Sequence, residues 1–159
     1  MKALFVCTGN LCRSVMAEYL FNLEARRLHL KDWRARSCGT AAQPYIHLPS
    51  DTSKALAVYG IRHVEHKPAL VNANLIGWAD IVFAMASNHL AVLESLYPDD
   101  RQKFHLFLEQ AGLGKADVQD PMGQVPEIYA KCCALIKKGI QEIIEKNAKL
   151  PKLTEKPRS

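Results

Sequence analysis

Two kinds of apolar pattern alternate along this chain. Short unbroken apolar runs, such as Ala3–Val6 and Ile81–Met85, have the length and texture of buried strands. Between them lie longer stretches with an apolar residue every three or four positions, the spacing of a helix with one buried face. The pattern predicts a strand over Lys2–Cys7 and then a helix from Ser14 to about Leu28. Met16, Ala17, Leu20, Phe21 and Leu23 form the apolar face of that helix. A second strand, Trp33–Cys38, is closed by Gly39-Thr40, and Ala41–Pro49 reads as a loop around Pro44 and Pro49. Ser50-Asp51 offer an N-cap for a helix that reaches Tyr59 and stops at Gly60. Arg62–Leu70, interrupted by Pro68, carries no clear period.

Farther along, Asn72–Gly77 reads as a short helix and Asp80–Met85 as the most strand-like run in the chain. Ser87 caps a helix carrying Leu90, Leu93 and Leu96 that ends before Pro98. Lys103–Leu108 is the fourth predicted strand. Gln110–Gly123 is a long loop with three glycines, and Pro126–Lys146 is a closing helix. Strands separated by helices specify an α/β domain: a doubly wound, four-stranded parallel sheet with helices on both faces. The expected organisation is one domain over 1–148 and a flexible tail over 149–159, where prolines and charges gather. In such sheets ligands bind beyond the carboxyl ends of the strands. Cys7, Gly39-Thr40, Met85-Ala86 and the loop after Leu108 all emerge at that edge.

Composition narrows the class. A chain of 159 residues, 48% hydrophobic and 23% charged, can bury a sizeable core. No apolar run is long enough to span a bilayer, and the run before Cys7 is too short for a signal peptide, so the chain reads as mature from Met1. Five cysteines without a framework spacing fit a reducing compartment, and the expected location is cytoplasmic. Of the pair Cys132-Cys133, helical spacing predicts one buried and one partly exposed thiol. No Cys/His grouping has metal-ligand spacing, and neither a metal nor another cofactor is expected. The net charge of +5 is spread along the chain without aromatic interleaving, which argues against a nucleic-acid partner. A monomer is the expected state.

The chemistry concentrates in Cys7-Thr8-Gly9-Asn10-Leu11-Cys12-Arg13-Ser14, between the first strand and the first helix. A bare Cys-x5-Arg spacing is unspecific, but its place before a helix N-terminus is not. Gly9 and Asn10 tolerate the left-handed backbone that a tight anion nest needs. Backbone N–H groups, the positive helix end and the forked guanidinium of Arg13 would neutralise a phosphoryl dianion. The same field favours a thiolate at Cys7, and Ser14 can donate a hydrogen bond to its sulfur. Cys12 reads either as a small filler or as a resolving thiol for Cys7 under oxidation.

A leaving oxygen also needs a proton. Asp120, before Pro121 in the last long loop, is the best-placed donor, and Asp117 competes with it. The structural alternative for Asp120 is an ordinary turn residue, since Asp-Pro commonly starts turns.

These residues resemble the low-molecular-weight protein tyrosine phosphatases over nearly the whole chain. VCTGNLCRSVMAE resembles that family's signature loop and first helix, RSCGT its second-strand ending, and WADIVFAMASN its third strand and helix start. LESLYP and the Asp-Pro of VQDPMG follow in family order. The resemblance implies a flavodoxin-like sheet, Cys7 as nucleophile, Arg13 as phosphate clamp and Asp120 as general acid and then base. The implied substrate is a phosphotyrosine-containing protein. It further implies that Asn10, Ser14, Ser37 and His66 support the loop, although Lys67-Pro68-Ala69 departs from the usual pattern after the histidine. The specificity rim would be Gln43, Tyr45 and Met122, where the family's aromatic residues are missing. Ala86 stands in place of a frequent aspartate. Leu11 matches the bulkier aliphatic residue of tyrosine phosphatases, where related arginine phosphatases place threonine.

Four alternatives compete. A protein arginine phosphatase is the nearest. Arsenate reductase on the same fold needs further redox cysteines, and no cysteine lies between Cys38 and Cys132. A non-catalytic phosphoprotein-binding module would be expected if Cys7, Arg13 or Asp120 were missing. A dinucleotide-binding domain lacks its G-x-G-x-x-G turn.

Overall fold

The run Ala3–Cys7 is buried on both faces of a sheet, and this explains why it is apolar throughout rather than alternating. The computed structural model describes residues 1–149. Four parallel strands, β1 (Lys2–Cys7), β2 (Arg34–Gly39), β3 (Ile81–Ala84) and β4 (Phe104–Leu106), lie in the order β2-β1-β3-β4. Helices α1 (Arg13–Arg27), α2 (Ser50–Ala57), α3 (Ala73–Trp78), α4 (Ser87–Leu96), α5 (Phe107–Gln110) and α6 (Pro126–Ala148) connect and flank them. This is the doubly wound α/β arrangement that the apolar pattern predicts.

Alternate β1 side chains feed two cores. Ala3 and Phe5 pack toward α1 and α6, while Leu4 and Val6 pack with Ile76, Val82 and Leu93 toward α3 and α4. On the first face Phe5 stacks on Phe83 at 5.2 Å between ring centroids, and Phe21 and Phe107 meet it edge-on. Gly139 interrupts α6 opposite Phe107, where a β-carbon would overlap the ring. The glycine lets the helix approach, at a helix-propensity cost of about 1 kcal/mol.

Several predicted boundaries shift, each for a local reason. β2 begins at Arg34 because Trp33 closes a turn onto Leu30 and stacks on Phe21, and it extends to Gly39, paired with Cys7. Pro49, not Ser50-Asp51, is the cap residue of α2, which ends at Ala57 as Tyr59 and Gly60 turn back onto Leu56 and Ala57. β4 covers only three residues of the predicted Lys103–Leu108. Phe107 joins the aromatic cluster and starts the short α5 there, and Pro98–Lys103 forms a 3₁₀ turn. Cys132 and Cys133 are both buried, because α6 packs against α1 and α2 at once. Apart from Lys149, the predicted tail lies outside the described residues.

The order β2-β1-β3-β4 makes the carboxyl end of β1 a topological switch point: the chain leaves β1 toward β2 on one side and lies beside β3 on the other. Cys7 is the last residue of that strand.

Candidate active site

The loop after β1 is held by neighbours on every side. Thr40 and Ala41 donate their amides to the carbonyls of Cys7 and Thr8, both at 2.9 Å, and Thr52 of α2 donates its hydroxyl to Leu11 O at 2.9 Å. Gly39 allows the close contact, since a β-carbon there would collide with the Thr8 carbonyl oxygen. Asn10, at φ 56°, takes the left-handed turn, whereas Gly9 does not have a positive φ. Among the described residues, the amides of Gly9, Asn10, Leu11 and Cys12 donate to no protein acceptor. The first turn of α1 contains no acidic side chain to quench its positive end. The loop is therefore built to receive an anion.

Asn10 organises the interior of the loop and uses its full hydrogen-bonding capacity. Its Nδ2 donates to Ser14 Oγ (2.8 Å) and Ser37 Oγ (2.9 Å). Its Oδ1 accepts from Ala69 N (3.0 Å) and His66 Nε2 (3.1 Å). Because Ser14 Oγ accepts from Asn10, its own proton is free for Cys7 Sγ, 2.9 Å away. The chain of donors runs from Asn10 through Ser14 to the sulfur.

His66 Nε2 faces two oxygens of Asn10, the carbonyl O at 2.8 Å and Oδ1, so Nε2 carries the hydrogen. Its Nδ1 lies 4.0 Å from Glu18 Oε2, which also accepts from Ser37 Oγ at 3.4 Å. Burial pushes the Glu18 carboxyl up from 4.5 to about 7, while its Ser37 bonds and the Arg36 charge pull the other way. Burial likewise pushes His66 below its ordinary value. Folded Glu18 holds its proton more tightly than unfolded Glu18, so its contribution to stability falls as pH rises from about 4.5 to about 7. His66 acts in the opposite sense, adding stability as pH rises through the ordinary histidine range. Glu18→Gln is thus expected to gain stability relative to the parent as pH rises from about 4.5 to about 7 in urea unfolding. A difference that stays constant with pH would show that Glu18 titrates like an exposed carboxylate.

Arg13 is 6% exposed. Its guanidinium donates to Val118 O at 3.0 Å and lies 3.7 Å from Asp120 Oδ2. The structure thus brings the first loop and the last loop together across the end of β3, where Val118 N donates to Met85 O at 2.9 Å. Asp120 keeps a turn bond, accepting from Met122 N at 3.1 Å, while its carboxylate faces Arg13. Cys7, Leu11, Cys12, Arg13, Asp120 and Met122 line one small cavity, with Gly9 at its wall. Burial pushes the Cys12 thiol up to about 11, so it is protonated near neutrality. A roomier groove of about 360 Å³ lies at the far end of α1 and contains no cysteine or carboxylate in its lining.

Two predicted rim residues lie away from this cavity. A turn closed by Ile46 N onto Gln43 O turns Gln43 and Tyr45 toward solvent, with Tyr45 74% exposed, and only Met122 of the three lines the cavity. Asp117 does not line it either. Its carboxylate accepts from the Ser87 amide (2.8 Å) and hydroxyl (3.2 Å) at the start of α4. Ser87 is the first helical residue, and Ala86, the cap residue, has no side chain to offer the helix. His89 and Thr52 also support the loop and carry no motif that would single them out in the sequence. His89 is fully buried, 2.8 Å from Thr8 Oγ1 through Nε2.

Residues 2–154 match the family described as low molecular weight phosphotyrosine protein phosphatase. The protein-arginine-phosphatase of Bacillus subtilis (strain 168) is 34% identical over 131 residues, covering 81% of this chain and 85% of that protein. A low molecular weight protein tyrosine phosphatase from T. tengcongensis, of known crystal structure, is 39% identical with a TM-score of 0.87, covering 92% of this chain and 99% of that one. The YwlE arginine phosphatase, solved as a C7S mutant with a phosphorylated active-site serine, is 29% identical with a TM-score of 0.88, covering 97% and 100%.

Proposed function

The chain belongs to the low molecular weight phosphotyrosine protein phosphatase family, and on that footing we propose that it hydrolyses protein phosphotyrosine through a phosphocysteine at Cys7. The observation that carries this reading is the cavity shared by Cys7, Arg13 and Asp120, with Ser14 Oγ 2.9 Å from the Cys7 sulfur. In the first step Cys7 Sγ attacks phosphorus, the P–O bond to tyrosine breaks, and Asp120 gives its proton to the leaving oxygen. Loop amides and the Arg13 fork bear the charge on the equatorial oxygens. In the second step Asp120 takes a proton from water, which attacks phosphorus and breaks the P–S bond. The Ser14 hydroxyl stabilises the departing thiolate. The phosphorylated serine in the YwlE C7S mutant supports residue 7 as the phosphoryl acceptor.

The phosphatase domain comprises 1–148. Five unpaired cysteines support a reducing, cytoplasmic setting, and no helix among the described residues is long and apolar enough to cross a membrane.

A second reading, a protein arginine phosphatase, is favoured by the similarity to the Bacillus subtilis enzyme. Leu11 decides between them in our reading. Its buried aliphatic side chain lines the cavity and leaves no hydroxyl there to meet a guanidinium. Rates on phosphotyrosine, phosphoserine and phosphoarginine peptides test this. Phosphotyrosine is expected to be preferred, and Leu11→Thr to move the preference toward phosphoarginine. A parent enzyme faster on phosphoarginine would reverse the assignment.

A further inference from the structure

We propose that Asp117 is a positioning residue for the general acid, clamping the loop that bears Asp120 to the first turn of α4. The inference rests on the reading of Asp120 as the acid. Between Ala111 and Val125 the chain forms neither helix nor strand. Gly112, Gly114 and Gly123 have positive φ, with no neighbour within 4 Å of a β-carbon position. The Asp120 side chain is itself 53% exposed, and its only hydrogen bond in the described structure is to Met122 within the same loop. The position of the acid is therefore set from outside the loop.

The shortest anchors that supply it lie within three residues of Asp120. Val118 N donates to Met85 O, Val118 O accepts from Arg13, and Asp117 accepts two hydrogen bonds from Ser87. Tyr129 also reaches Met122 Sδ and Cys132 reaches Gln119 O, both at 3.9 Å, but of the hydrogen bonds and ion pairs that the loop's own side chains make outside it, only those of Asp117 are shorter than 3.5 Å. The clamp satisfies Ser87 N, the first of the amides at the start of α4 that have no partner within the helix, and Ala86 at the cap position brings no polar side chain to that turn. The turn that Asp117 grips is not a free end. Two residues on, His89 is fully buried and its Nε2 lies 2.8 Å from the hydroxyl of Thr8, next to Cys7. Burial and the Arg13 charge push His89 down to about 4, so this tether is neutral at working pH. One helical turn thus holds the nucleophile loop at His89 and the acid loop at Ser87. Asp117 cannot take the part of the acid itself, because both its oxygens are engaged and it does not line the cavity.

The test is the leaving-group dependence of kcat/KM in the full chain, from nitrophenyl phosphate to phenyl phosphate. A weakly acidic phenol needs the proton and a strongly acidic one does not. Asp120→Asn is expected to lose about 10²-fold on phenyl phosphate and far less on nitrophenyl phosphate. Asp117→Ala is expected to show the same bias at about tenfold, with Asp117→Asn, which keeps one acceptor, in between. The ratio of two substrates is independent of how much protein is folded, and the isosteric asparagine carries the test if the alanine variant does not fold. A parental ratio in both Asp117 variants, or an equal loss on both substrates, would overturn the proposal. A parental ratio in Asp120→Asn would instead overturn the acid assignment, and the proposal with it.

Discussion

Replacing Cys7 with serine is expected to lower kcat/KM for aryl phosphates by at least ~10⁴-fold while leaving the fold in place. Sulfur attacks as a thiolate, which a thiol forms far more readily than a serine hydroxyl forms an alkoxide. Among the described residues, no basic side chain hydrogen-bonds to the Cys7 sulfur. Its hydrogen-bond partner is the Ser14 hydroxyl, whose oxygen is already engaged by Asn10. The oxygen is smaller than sulfur and the site is 3% exposed, so the structural cost is small, about 1 kcal/mol or less. Steady-state kinetics with a thermal melt would check both parts. Near-parental turnover in a folded Cys7→Ser protein would remove Cys7 as the nucleophile.

Arg13→Lys is expected to cost about 10³-fold in kcat/KM although the charge is kept. The guanidinium has two tasks in one plane: it donates to Val118 O, and it turns toward the cavity beside Asp120. An ammonium has no fork with which to hold a carbonyl and grip two phosphoryl oxygens together. The loss should therefore appear in phosphate binding as well as turnover, as weaker competitive inhibition by inorganic phosphate. It should also unsettle the acid loop, since Arg13 is one of the anchors at Val118. A lysine variant that binds phosphate and turns over like the parent would exclude the clamp.

The two loops differ in how much of their arrangement could be read in advance. The first was legible because strand, loop and helix follow one another without a break, so the order of residues is also their order in space. Asp120 and Asp117 were not separable on the same terms. They lie three apart in a loop with no period, and Asp-Pro suits a turn as well as an acid. Only the fold distinguishes them, by bringing the start of α4 against one carboxylate and Arg13 against the other. The rim was legible only in part. Gln43 and Tyr45 follow β2 closely, yet a turn at Gln43–Ile46 points them to solvent, and the direction of a turn is not written in its composition.

By itself the sequence determined the alternation of strands and helices, the all-apolar β1, and a Cys7-to-Arg13 loop opening into a helix, because each rests on neighbours in the chain and on local periodicity. The tertiary structure decided what rests on distant partners: the network through Asn10 that joins Ser14, Ser37 and His66, the burial that raises Glu18, and the meeting of Arg13 with Asp120. Those contacts span from 27 to 107 positions of chain, apart from the Asn10–Ser14 bond. Their geometry exists only once the parallel sheet has carried the ends of β1, β2 and β3 to one edge.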